Sequence, residues 1–108
     1  MMRAALERHG YQVLEAENGL DAIRMWEKCD RAIPLLLTDM VLPEGMTGRD
    51  LAARLQAKNV NLKVIYTSGY SADLAAPGLD LQEGKNFLQK PCPLHQVLET
   101  VRRRLDNQ

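Results

Sequence analysis

Apolar positions along this chain alternate between helical and strand-like spacing. Met2, Ala5, Leu6 and His9 recur on one helical face, and Gly10 behind them marks a stop. Tyr11–Ala16 then reads as a short strand. Asn18 is a good N-cap with Asp21 three residues on, which predicts a second helix from near Gly19 with Ala22, Ile23 and Trp26 as its buried side. Arg31 to Pro34 break the pattern. Leu35-Leu36-Leu37-Thr38-Asp39 is a continuous apolar run with a polar end, the signature of a parallel strand covered on both faces.

The second half repeats the alternation. After the loop Leu42–Met46, Thr47-Gly48-Arg49-Asp50 matches a capping box and starts a third helix that buries Leu51, Ala52 and Leu55. Asn59 and Asn61 mark its end. Leu62–Thr67 is the next strand, and Ser68–Ser71 a turn. Between Ala72 and Lys85, Pro77-Gly78 and Glu83-Gly84 interrupt the pattern, so any helix there is short. Asn86–Gln89 reads as a last strand, before Lys90-Pro91. Leu94, Val97, Leu98, Val101 and Leu105 form the stripe of a terminal helix, whose last turns carry Arg102, Arg103 and Arg104 where a helix dipole favours cations. Strands alternating with helices predict an α/β fold with right-handed crossovers and a parallel sheet.

Composition narrows the classes. With 108 residues the chain suits one domain, residues 1–108. Fourteen basic and fourteen acidic side chains cancel, so nothing draws it generally to nucleic acid or to an anionic membrane. No apolar run reaches bilayer length, and the start lacks the apolar core of a signal peptide. Cys29 and Cys92 lie far apart outside any CxxC pattern, which argues against a disulfide framework or zinc site and fits a reducing cytoplasm. His9 and His95 read as helix-surface residues, Arg102–Arg104 as a solvated helix end, and Met40, Met46 and Trp26 as packing.

In an open parallel sheet, chemistry gathers beyond the carboxyl ends of the strands. Asp39, Thr67 with Ser68, and Lys90 occupy those ends. A carboxylate, a hydroxyl and an ammonium together suit phosphoryl transfer. The carboxylate attacks phosphorus to form an acyl phosphate, while the cation and the donor stabilise charge on the peripheral oxygens. A hard divalent cation on carboxylate oxygens would normally assist.

The pieces Leu36-Leu37-Thr38-Asp39 with Pro43 and Gly48, Val64–Tyr70, and Phe87-Leu88-Gln89-Lys90-Pro91 occur in an order and at intervals similar to the receiver domain of response regulators. The stretches Pro43–Leu51 and Thr67–Ser71 most resemble receivers at the C-termini of hybrid sensor histidine kinases. The resemblance implies a flavodoxin-like doubly wound sheet of strand order 2-1-3-4-5. It implies Asp39 as phosphoacceptor, Lys90 as the phosphate-binding lysine, Ser68 as the phosphate-binding switch hydroxyl, and Phe87 as the aromatic switch. Counting back from Lys90 favours Ser68; Thr67 stays the alternative hydroxyl. Phe87 reads equally well as a core residue. Val41 would offer its backbone carbonyl, beside Asp39, to Mg2+, and the Lys90-Pro91 peptide would be cis. The implied partner is a histidine kinase or histidine phosphotransfer domain. Output would pass through protein contacts of the Ser71–Asn86 face and the terminal helix, with no nucleic acid and no direct membrane contact. Chemistry would be confined to self-phosphorylation and autodephosphorylation.

The sequence departs from the family at its start. Receivers begin with an apolar strand ending in two acidic residues that hold magnesium, and Met1 already aligns with the helix after it. Glu7, Glu15, Glu17 and Glu44 are poor substitutes. The expectation is an N-terminally truncated receiver whose first strand is missing from the centre of the sheet, with a gap-filling homodimer as the lesser option. Two other functions compete with signalling by phosphorylation. One is a non-phosphorylated receiver-like interaction domain. The other is a small phosphatase or phosphotransferase using Asp39, for which haloacid-dehalogenase-like enzymes would want an Asp where Val41 stands.

Overall fold

The computed structural model describes residues 2–29, 33–69, 81–82 and 84–106. Its elements are α1 (Met2–Arg8), α2 (Gly19–Lys28), β1 (Leu35–Asp39), a 3-10 turn (Pro43–Gly45), α3 (Gly48–Lys58), β2 (Lys63–Ser68), β3 (Phe87–Gln89) and α4 (Leu94–Asp106). The strands form a parallel sheet of order β1-β2-β3. Leu35 pairs with Lys63 and Asp39 with Thr67; Tyr66 pairs with Phe87 and Ser68 with Gln89.

Strand pleating sends alternate side chains to two cores. Leu35, Leu37, Ile65 and Leu88 meet Leu6 of α1 and Val97 and Val101 of α4. Leu36, Val64 and Tyr66 meet Leu51, Ala52 and Leu55 of α3, with Ala22, Ile23 and Trp26 of α2. Helices thus cover both faces, as the α/β pattern predicts. The caps form where the sequence places them. Asp21 N donates to Asn18 Oδ1 at 2.8 Å. Thr47 and Asp50 bond reciprocally at 3.0 and 3.2 Å.

Several expectations need correction. Tyr11–Ala16 is not a strand; it runs without secondary structure, with Leu14 56% exposed. A strand exists only through pairing, and among the described residues this segment has no ladder partner. The described sheet therefore corresponds to the last three positions of the expected 2-1-3-4-5 order. For the same reason β1 is paired on one edge only among the described residues, and Leu35, Leu36 and Leu37 are half-buried rather than covered on both faces. Ala22, Ile23 and Trp26 are likewise only half-buried. Leu94 is exposed, and α4 buries Thr100 instead, whose hydroxyl donates to Gln96 O at 2.7 Å. The strands end one residue later (β2) and begin one residue later (β3) than the sequence suggests. The break at Arg31 and Ala32, the turn residues Tyr70 and Ser71, and most of Ala72–Lys85 with the contact face assigned to it lie outside the described residues.

Candidate functional site

The site is built by strand ends. β1 delivers Asp39, β2 delivers Thr67 beside it in register, and β3 hands over to Lys90. Lys90 is fixed by its backbone: its N–H donates to Ser68 O at 2.7 Å, and the Lys90-Pro91 peptide is cis. Lys90 Nζ lies 2.8 Å from Asp39 Oδ1, and Thr67 Oγ1 donates to the same oxygen. Both named contacts fall on Oδ1. The Asp39 and Lys90 side chains are 46% and 51% exposed, so the carboxylate is open to solvent. A cleft of about 480 Å³ opens there, lined among others by Leu14, Asn18, Thr38, Asp39, Thr67 and Lys90.

The pleat separates the two hydroxyls. Thr67 shares its face with Ile65 and Asp39, whereas Ser68 shares its face with Val64 and Tyr66. The structure thus brings the alternative hydroxyl, Thr67, onto the carboxylate, and leaves Ser68 buried on the next position with its carbonyl bound to Lys90. Phe87 is 1% exposed and packs against Met40, the residue after Asp39. Val41 is 78% exposed and forms an isolated bridge to Thr47.

Two supports escape sequence reading. Gly48 N donates to Met40 O at 2.9 Å, and a Cβ on Gly48 would collide with the Asp39 carbonyl. Thr38 Oγ1 donates to that carbonyl at 3.0 Å. Together they hold the backbone that aims Asp39. The Pro43–Gly45 turn beyond it puts Glu44 at φ 67, in the left-handed region.

The donor set does not by itself fit magnesium. Among the described residues, no group of three or more His, Cys, Asp or Glu lies together. A hard dication needs several oxygen ligands, and at Asp39 the nearby cation is the Lys90 ammonium. No helix among the described residues is long and apolar enough to cross a membrane.

A parallel sheet with helices on both faces, and a carboxylate, ammonium and hydroxyl converging at its carboxyl edge, is the α/β arrangement that the receiver resemblance implies. The comparisons agree. The sequence pattern of the response regulator receiver domain matches residues 1–102. The sensor kinase CckA of Brucella abortus is 35% identical over 96% of this chain, which spans 11% of that protein. The response regulator receiver protein CpdR of the same organism is 33% identical, with 94% of this chain and 82% of that protein covered. The crystal structure of the receiver domain from the hybrid histidine kinase CckA superimposes with a TM-score of 0.76 at 29% identity, covering 96% of this chain and 85% of that one. The chain belongs to the response regulator receiver domain family, and its fold and relatives place it in two-component phosphorelay signalling.

Proposed function

We propose that Asp39 accepts a phosphoryl group from a histidine kinase or histidine phosphotransfer domain and later loses it to water. The observation that carries this is the half-exposed Asp39 carboxylate paired with Lys90 at the carboxyl edge of the sheet. One carboxylate oxygen attacks phosphorus in line, the bond to the donor breaks, and its electron pair leaves with the donor group. Lys90, 2.8 Å away, follows the negative charge onto the phosphoryl oxygens. Phe87, which packs on Met40, would follow a shift of the residue after Asp39. Ser68 is the second hydroxyl at this edge and would have to swing across the pleat to meet the phosphoryl group.

The same reading expects Asp39 and the Val41 carbonyl to supply part of the oxygen ligands of a Mg2+ ion. A cytoplasmic setting suits the reduced cysteines Cys29 and Cys92. Output then passes through protein–protein contact. The test is incubation with acetyl phosphate and magnesium chloride, read by intact mass. One phosphoryl adduct is expected, absent in Asp39→Asn; no adduct, or one that survives the substitution, refutes the assignment.

A further inference from the structure

We infer that Thr67 shortens the life of the acyl phosphate, by holding Asp39 in its free carboxylate form and leaving Oδ2 as the oxygen that bonds to phosphorus. The inference rests on the proposed role of Asp39. It starts from the contacts of that carboxylate: Lys90 Nζ and Thr67 Oγ1 both engage Oδ1. Thr67 is held by its strand. It is 6% exposed, pairs in register with Asp39, and has a β-branched side chain with little rotamer freedom. Its hydroxyl is therefore a fixed donor aimed at one oxygen.

The two states of Asp39 use that donor differently. In the free carboxylate, Oδ1 carries negative charge and the hydrogen bond is charge-assisted. In phosphorylation Oδ2 forms the bond to phosphorus, the bond from phosphorus to the donor breaks, and Oδ1 becomes the neutral carbonyl oxygen of an acyl phosphate. The bond from Thr67 weakens at that moment. In hydrolysis the water oxygen bonds to phosphorus, the P–Oδ2 bond breaks, its electron pair returns to the carboxylate, and the water protons pass to phosphate or solvent. Thr67 recovers its stronger bond as the carboxylate departs. A donor that binds the leaving group more tightly than the adduct favours departure. Hydrogen bonds to charged groups exceed neutral ones enough for about a fivefold effect.

Ser68 lies on the other face of the pleat and does not share this geometry. The two adjacent hydroxyls thus have separable roles, and Thr67 is a positioning residue.

The test uses the whole chain, loaded with acetyl phosphate and magnesium chloride and then desalted, with the adduct followed by intact mass. Thr67→Val keeps the β-branched shape and removes the donor; the adduct half-life should lengthen about fivefold. Thr67→Ala, a second route to the same loss, should lengthen it too. Thr67→Ser keeps the donor and should restore the wild-type half-life. Circular dichroism checks that each variant is folded. An unchanged or shorter half-life in both hydroxyl-free variants overturns the inference, as does Thr67→Ser behaving like Thr67→Val. Absence of an adduct in the wild type, or persistence in Asp39→Asn, is the distinct failure of the phosphoacceptor reading, and the inference falls with it.

Discussion

The chemistry proposed for the Asp39–Lys90 ion pair is separable from its small contribution to stability. Both side chains are about half exposed, and pairs of that kind contribute about 0–1 kcal/mol. Lys90→Ala should therefore leave the urea midpoint nearly unchanged while cutting acetyl phosphate labelling of Asp39 by about tenfold or more, since it removes the cation beside the transferring group. A loss of both together would mean that the lysine is structural. Tyr66 gives the opposite case, a residue whose burial matters to stability and not to the site. Burial pushes its phenol above the ordinary value and outweighs the opposite pull of the Arg49 charge. The folded chain then keeps this proton at pH values where the unfolded chain releases it. That contribution is intact below pH about 10, the unfolded value, and is lost as pH rises through the folded value. Urea midpoints measured from pH ~8 to ~11 should fall more steeply in the wild type than in Tyr66→Phe.

At the scale of elements, the start of α3 is the most constrained point next to the site. Thr47 and Asp50 close a capping box, and Thr47→Ala should cost about 1 kcal/mol by chemical denaturation. Gly48, the next residue, sets two effects against each other. Alanine in a helix is favoured over glycine by about 1 kcal/mol, but here a Cβ meets the Asp39 carbonyl, a backbone atom that cannot swing aside. Overpacking of this kind costs about 1–3 kcal/mol, so Gly48→Ala should be net destabilising and should also slow labelling of Asp39. Gly19 is the contrast: its added Cβ would meet the Met46 side chain, nearest at Sδ, rather than a backbone atom. The capping box was legible from four letters of sequence. The close approach of Gly48 was not, because it joins positions nine residues apart across a loop.

For the whole molecule, the sheet has its tightest packing around β2. Ile65 and Leu88 are fully buried between β2, β3, α1 and α4. Leu88→Ala should cost about 2–5 kcal/mol, a large share of the 5–15 kcal/mol typical of a small domain, and thermal unfolding would report it directly. β1 packs less tightly. Its leucines are half-buried and one edge is unpaired among the described strands. The cleft with Asp39 opens on that side, between β1 and the Leu14–Asn18 segment.

Local order alone settled much of this protein. The helices at Gly19, Gly48 and Leu94, the Asn18 cap and the apolar runs of the strands follow from periodicity and capping chemistry, which act within a few residues. The placement of Asp39 and Lys90 at one sheet edge follows too, because parallel strands all end on the same side. Tertiary structure decided what depends on pairing. Tyr11–Ala16 has strand-like letters but no ladder among the described residues, since a strand needs a neighbour and its own sequence does not provide one. The hydroxyl that meets Asp39 was decided in the same way. Thr67 and Ser68 are adjacent in sequence, and only the register of β1 against β2 places one of them on the carboxylate. A shift of one residue reverses every side chain in a strand, and nothing within the strand itself sets that register.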